Sequence, residues 1–301
     1  MEQATTFKAG YVAIVGEPNV GKSTLLNAFL NQKISIVTRK PQTTRQRVLG
    51  ILSRDDAQIM FLDTPGLIQP QYLLHQRMIR AAERALEDAD VVLVMTEVSK
   101  GTSLPPAVEE QVLRKNLNKP KILVINKVDS ILRSEVLPLI EVFSKTKELS
   151  EIVPISALEE DNVDDLLATI VKYLPEHPPF YPTDIVSEQP ERFFVAELIR
   201  EQIFEKYREE IPYSTAVEIT EFKEREQGKT YINADIIVER DSQKGILIGK
   251  QGTALKRIGE SARKEIEKFL GRPVFLDLFV KVKERWRENE QWLNRLGYTI
   301  E

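Results

Sequence analysis

The 301-residue chain contains no cysteine. That excludes a disulfide framework, a thiolate metal site and a thiol nucleophile, and it fits a reducing compartment. The sequence also lacks any apolar run approaching the ~20 residues of a membrane-spanning helix, and Met1 to Gly10 shows no basic stretch followed by an apolar one. A soluble, cytoplasmic protein is expected. There is no internal repeat and no low-complexity segment. Neither sign of charge dominates: the formal net charge is -4, with 29% charged and 42% hydrophobic residues. Bulk charge therefore predicts no polyanion partner, and composition predicts a folded chain of ordinary globular type. The length suits two domains.

Short β-branched runs alternate with longer amphipathic segments from Tyr11 to Leu174. Tyr11–Val15, Val48–Ser53, Gln58–Leu62, Val91–Thr96, Lys121–Ile125 and Ile152–Ile155 read as strands. Alternation of this kind predicts an α/β domain with a mixed, mostly parallel six-stranded sheet and helices on both faces. The antiparallel exception is the pair Val48–Ser53 and Gln58–Leu62, joined by a tight polar turn. Pro175, Pro178, Pro179, Pro182 and Pro190 then mark a linker, since imide nitrogens suit neither a helix interior nor an inner strand. The expected organisation is a first domain over 1–176, a linker over 177–192 and a second domain over 193–301.

Ligands of such sheets lie at the carboxyl ends of the strands, and four polar motifs fall there. Gly16-Glu17-Pro18-Asn19-Val20-Gly21-Lys22-Ser23 follows the first strand and opens a helix, the context of a phosphate-cradling loop. Backbone N–H groups and the helix N-terminus would hold the phosphates, Lys22 would neutralise the β/γ oxygens, and Ser23 would ligate Mg²⁺. Asp63-Thr64-Pro65-Gly66 supplies a carboxylate for Mg²⁺ and a glycine N–H for a γ-phosphate. Asn126-Lys127-Val128-Asp129 places a carboxylate where it can accept N1–H and the 2-amino group of guanine; adenine offers neither. Ser156-Ala157 can give a backbone N–H to the guanine 6-oxo group. Each motif alone could be an ordinary turn; the four in order predict a GTP site.

These motifs resemble the conserved boxes of the GTPase superfamily, which implies a switch threonine between the first helix and the second strand. Thr43 and Thr44 both lie there, Thr44 being favoured as the Mg²⁺ ligand. Lys22, Thr44, Asp63 and Gly66 are then the residues expected to act on the γ-phosphate. A glutamine that orients water in many superfamily members is replaced by Leu67, so slow turnover is expected. In GTPases whose loop reads Gly-x-Pro-Asn-x-Gly-Lys-Ser, the asparagine helps place K⁺ against the phosphates. That resemblance implies K⁺ stimulation through Asn19, the alternative being a loop-stabilising asparagine.

Beyond the linker the pattern reads helix, strand, strand, helix, helix, strand. Between the two central helices stands Gly249-Lys250-Gln251-Gly252, the type of turn with which a KH module clamps about four nucleotides of single-stranded RNA. The element order predicts a smaller α+β KH domain of the second topological type; a plain helix-turn-helix corner is the alternative. From Gly245 to Arg287 there are eleven basic residues, Lys250, Lys256, Lys281 and Lys283 among them, against five acidic ones. A chain of net negative charge thus concentrates its bases around the glycine turn. Trp286 and Trp292, set among arginines, are expected to pack a terminal helix on this domain rather than to stack bases.

A Gly-x-Pro-Asn cradle, the switch residues Gln42-Thr43-Thr44-Arg45, a proline-rich linker and a C-terminal KH pattern together make the chain similar to the Era-like family of bacterial GTPases along essentially its full length. The resemblance implies nucleotide contacts at Asn19, Val20, Gly21, Lys22, Ser23 and Thr24, guanine contacts at Asn126, Lys127, Asp129, Ser156 and Ala157, and RNA contacts at Gly249 to Gly252. It also implies binding to the 3′ end of 16S ribosomal RNA, a role in assembly of the 30S subunit, a monomeric state and loose association with the inner face of the cell membrane. Within this reading two possibilities remain: a nucleotide-driven RNA switch, or a constitutive RNA-binding assembly factor whose first domain is a structural nucleotide holder.

Overall fold

Buried valine, isoleucine and leucine runs form the strands of the first sheet, with Ile122–Ile125 and Val91–Val94 almost wholly excluded from solvent. Runs apolar at every position fit strands covered on both faces, and parallel pairing follows. The computed structural model describes residues 6–114, 118–224 and 228–299; of the segment Met1 to Gly10, residues 1–5 lie outside them. The chain divides into two compact units. The first gathers residues 1–35, 44–70 and 78–188, and the second residues 36–43, 71–77 and 189–301.

The first unit contains strands β1 (Lys8–Gly16), β2 (Val48–Ser53), β3 (Ala57–Asp63), β4 (Val91–Glu97), β5 (Lys121–Asn126) and β6 (Glu151–Pro154) in one sheet of order β2-β3-β1-β4-β5-β6. Only β2 runs antiparallel. Helices include α1 (Lys22–Leu30), α2 (Leu73–Asp88, of which residues 78–88 belong to this unit), α3 (Arg133–Phe143) and α4 (Val163–Tyr173). The register aligns the strand ends that matter: Ile14 opposite Asp63, Gly16 opposite Met95, and Glu97 opposite Asn126. Parallel strands of matched register bring their carboxyl ends to one edge, which is where a ligand can meet several loops at once.

In the second unit α5 (Glu191–Lys206), a short α6 (Ile211–Ser214), β7 (Ala216–Lys223), β8 (Thr230–Val238), α7 (Asp241–Ile248), α8 (Thr253–Leu270) and β9 (Val274–Val282) are followed by α9 (Glu290–Arg295). The sheet order is β7-β8-β9, with β8 and β9 parallel. This is the expected order with one added turn of helix, α6. One sheet face carries Ile232, Ala234, Ile236, Val274 and Val280 into a core with Val195, Leu198, Ile199, Ile258, Ala262 and Ile266 of α5 and α8. Ile36 joins the same core. Trp286 is fully buried and its Nε1–H donates to Ser214 O at 2.9 Å, so the expected packing role is met. Trp292 stays partly exposed between the cations Lys283 and Arg295.

Candidate nucleotide site and RNA face

The loop after β1 reverses through two left-handed residues, Asn19 (φ 68°) and Gly21 (φ 98°). At Gly21 the strain is relieved by glycine, and the space is too: a Cβ there would come within 2.2 Å of Asn126 Nδ2. Lys22 is buried and donates to Glu17 O at 2.8 Å and more weakly to Gly16 O at 3.3 Å. Burial lowers its pKa to about 8, against the opposing pull of Asp63 and Glu17. Among the described residues its ammonium hydrogen-bonds only to backbone carbonyls, and so fits a site that receives anionic phosphate oxygens.

Asp63, at the end of β3, is fully buried. Its Oδ2 accepts from Ser23 Oγ at 2.6 Å and from Ser35 Oγ at 2.8 Å. Ser23 Oγ also lies 2.9 Å from Thr44 Oγ1. Burial raises the Asp63 pKa, while the hydroxyl bonds and Lys22 favour the carboxylate. Asp63 Oδ1 is buried without a hydrogen-bond partner among the described residues. An unused carboxylate oxygen beside two hydroxyl oxygens is the hard, oxygen-only donor set that Mg²⁺ takes, so the residues fit that ion. Thr43, in contrast, turns into its own loop, bonding to Thr38 Oγ1 at 2.7 Å and Lys40 O at 2.9 Å.

Asp63-Thr64-Pro65-Gly66 is tied to the cradle at three points. Thr64 Oγ1 donates to Ile14 O at 2.7 Å, and Leu67 N donates to Gly16 O at 3.0 Å. Gly66 lies so close that a Cβ would come within 2.6 Å of Pro18 N. Leu67 points into the core of the first unit, with no functional group to offer a water.

At the other end of the edge, Asn126 bridges two loops: its Nδ2 donates to Val20 O at 2.8 Å and its Oδ1 accepts from Ala157 N at 2.9 Å. Lys127 Nζ donates to Asn19 O at 2.8 Å. Asp129 Oδ1 accepts from Ser156 Oγ at 2.6 Å, which aims the carboxylate. The structure thus brings Asn19, Val20, Gly21, Lys22, Ser23, Thr44, Asp63, Gly66, Asn126, Lys127, Asp129, Ser156 and Ala157 onto one sheet edge; Thr24 continues α1. Residues that the sequence reading missed are Ser35 and Asn27. Asn27 Oδ1 accepts from Ile34 N and Ser35 N at 3.0 and 2.9 Å, and its Nδ2 donates to Ser35 O at 2.7 Å. That clasp presents Ser35 to Asp63.

In the second unit, Gly249 (φ 69°), Gln251 (φ 49°) and Gly252 (φ 77°) form a tight reversal between α7 and α8. Lys250 and Lys256 are exposed beside it. Lys281 is not brought to this turn. It pairs with Asp235 at 2.5 Å on the sheet face opposite the helices, and Lys283 Nζ sits 5.1 Å from the centre of the Trp292 ring. Strand alternation explains the difference, since odd-numbered residues of β9 point away from the face that α8 covers.

Comparison with known proteins agrees with this architecture. Residues 11–127 match the family model described as 50S ribosome-binding GTPase, and residues 210–287 match that of the KH domain. The chain is 48% identical over 297 residues to GTPase Era of Geobacter metallireducens, covering 97% of this chain and 98% of that one. It is 45% identical to the chloroplastic GTPase ERA1 of Zea mays, covering 97% of this chain and 70% of the relative. Among solved structures, Aquifex aeolicus Era bound to GDP.AlF4- and Era in complex with MgGDPNP and nucleotides 1506–1542 of 16S ribosomal RNA each superpose with a TM-score of 0.93 at 48% identity, covering 98% of this chain and 100% of theirs. With a relative matched over almost its whole length and both halves recognised in order, the chain belongs to the Era family of GTPases.

Proposed function

We propose that the chain is an RNA-binding GTPase switch in which Lys22, Ser23, Thr44, Asp63 and Gly66 serve the γ-phosphate, Asp129 selects guanine, and the turn Gly249 to Gly252 holds single-stranded RNA. The convergence of Ser23, Thr44 and the half-satisfied carboxylate of Asp63 at one strand end carries this reading. Ser23, Thr44 and Asp63 would hold Mg²⁺, which when bound neutralises charge shared between the β- and γ-phosphates. Lys22 and the backbone N–H groups of the loop orient the phosphates, Gly66 N–H donates to the γ-phosphate, and no side chain at Leu67 orients the water. The reaction, GTP and water to GDP and phosphate, is accordingly slow without help.

The segment before Thr44 favours a switch over a static nucleotide holder. Within the second unit, Arg200 of α5 is fully buried and donates to Thr43 O, Val37 N donates to Glu201 Oε1 at 3.1 Å, and Lys40 Nζ caps the end of α5 at Phe204 O and Tyr207 O. Thr43 and Thr44 are consecutive, so whatever draws Thr44 onto a nucleotide pulls on a segment bonded into the KH unit. The RNA named with the related structure, nucleotides 1506–1542 of 16S ribosomal RNA, is the proposed ligand, and small-subunit assembly the proposed setting. No helix among the described residues is long and apolar enough to cross a membrane; membrane association, which only the family resemblance supports, would be peripheral.

RNA affinity should differ at least about threefold between the GDP state and a non-hydrolysable GTP analogue, a modest coupling free energy. Filter binding or fluorescence anisotropy with that RNA measures it; equal affinities would favour the static holder. Aspartates at Lys250 and Gln251 should abolish RNA binding and leave GDP binding intact, because they set negative charge against backbone phosphates. Normal RNA binding by that variant would remove the KH assignment.

Two solution dependences follow from the phosphate loop. Because the free protein begins to lose the Lys22 proton near pH 8 while bound phosphates retain it, GDP affinity should fall about fourfold from about pH 7 to about pH 8.5; calorimetric titration showing a flat profile would contradict this. If Asn19 helps to place K⁺, GTP turnover should be faster in K⁺ than in Na⁺ at equal ionic strength, and identical rates would leave Asn19 a structural residue.

A further inference from the structure

The carboxyl ends of β1, β3 and β5 and the turn after β6 all have roles in the site. The end of β4 has none so far. Its last residue, Glu97, stands opposite Asn126 in the β4–β5 register, so its side chain reaches the neighbouring Lys127. Glu97 forms an ion pair with Lys127 Nζ, the same ammonium that donates to Asn19 O. Ser99 Oγ donates to Glu97 Oε1 at 2.7 Å and fixes the carboxylate from behind. The Glu97 side chain is only 14% exposed, while that of Lys127 is 38% exposed, so the carboxylate half of the pair is shielded from bulk water and the ammonium half faces it. Burial raises the carboxyl pKa, but the bonds from Lys127 and Ser99 outweigh it and hold the group below its ordinary range.

A second tie runs from the same segment. The helical turn Val98–Lys100 places Lys100 Nζ 2.9 Å from Glu17 Oε2. Residues 97 to 100 therefore grip the phosphate loop twice, directly at Glu17 and through Lys127 at Asn19. The second grip is the more telling. Asn19 and Lys127 both adopt left-handed backbone conformations, φ 68° and 66°, which non-glycine residues hold only where their surroundings fix them. The bond between them joins the loop that cradles phosphate to the loop that reads the base.

We propose that Glu97 is a positioning residue for nucleotide retention: its carboxylate anchors the Lys127 ammonium on Asn19 O, locking the phosphate loop to the guanine loop, with Lys100–Glu17 as a weaker second brace. A nucleotide held at both ends leaves only when these loops part. Loss of the anchor therefore acts on the dissociation rate. The inference rests on the assignment of Lys127 to the nucleotide site.

The test is stopped-flow release of fluorescent mant-GDP from the full chain with Mg²⁺ present, in the wild type, Glu97→Gln, Lys127→Met and the double variant. Glu97→Gln keeps the shape and removes the charge, and release should quicken about tenfold, the effect of about 1.4 kcal/mol. In the Lys127→Met background the same substitution should change release by less than about twofold, since its target is gone. A purely structural Glu97 would give equal factors in both backgrounds, and that result, or a wild-type rate for Glu97→Gln, overturns the proposal. If Lys127→Met alone left release unchanged, the assignment of Lys127 would fall instead. Should Glu97→Gln not fold, Glu17→Gln isolates the exposed brace. Release about threefold faster supports the proposal, and a wild-type rate overturns it.

Discussion

The buried carboxylate of Asp63 is the constraint on which the nucleotide edge depends. A carboxylate removed from water costs several kcal/mol unless it is bonded. Here Ser23 brings the first turn of α1 to it, Ser35 brings the segment that leaves α1, and Lys22 lies close enough to favour its charge. Thr44 is attached one step further out, through Ser23. Two further stretches of chain, at Ser23 and at Ser35, are thereby bonded to one oxygen of β3's last residue, with Thr44 attached through Ser23, while the other oxygen makes no hydrogen bond among the described residues. The sheet register positions the group, since β3 pairs with β1 so that Asp63 stands opposite Ile14, two residues before the phosphate loop.

The guanine end is built on the same plan with an amide in place of a carboxylate. Asn126 satisfies Val20 O and Ala157 N at once, so phosphate loop, base loop and the turn after β6 share one buried side chain. The two ends are then linked through Lys127 and Asn19 O. On the proposed assignment of the base to Asp129 and of the phosphates to residues 16–23, specificity and affinity become parts of one bonded structure.

Much of this was legible in the sequence, for a physical reason. Strands with every position buried announce themselves as continuous apolar runs, and the motifs at their ends are contiguous, so the strands, their mostly parallel pairing and the antiparallel β2–β3 pair could be read locally, as could the motifs that the fold gathers on one edge. What escaped depends on contacts across strands. Glu97 is one acid at the end of an apolar strand, and only the β4–β5 register shows that it faces Lys127. Ser35 and Asn27 act through a side-chain clasp with no periodic signature. Lys281 and Lys283 group with the glycine turn by sequence proximity, whereas strand alternation pairs Lys281 with Asp235 on the other sheet face and Lys283, just past β9, lies over the Trp292 ring. The placing of residues 36–43 with the second unit was equally hidden, because it rests on Ile36 entering a distant core and on buried polar groups of α5. Of the two threonines left open by the sequence, only Thr44 reaches Ser23.

Asp63 is the group that would join phosphate loop, switch threonine and divalent ion. The most direct test is calorimetric titration of a non-hydrolysable GTP analogue with and without Mg²⁺, in the wild type and in Asp63→Asn. Mg²⁺ should strengthen wild-type binding at least about tenfold and change binding to Asp63→Asn by less than about twofold, because the amide keeps the shape but not the charge. Equal enhancement by Mg²⁺ in both proteins would contradict the central role given to this carboxylate.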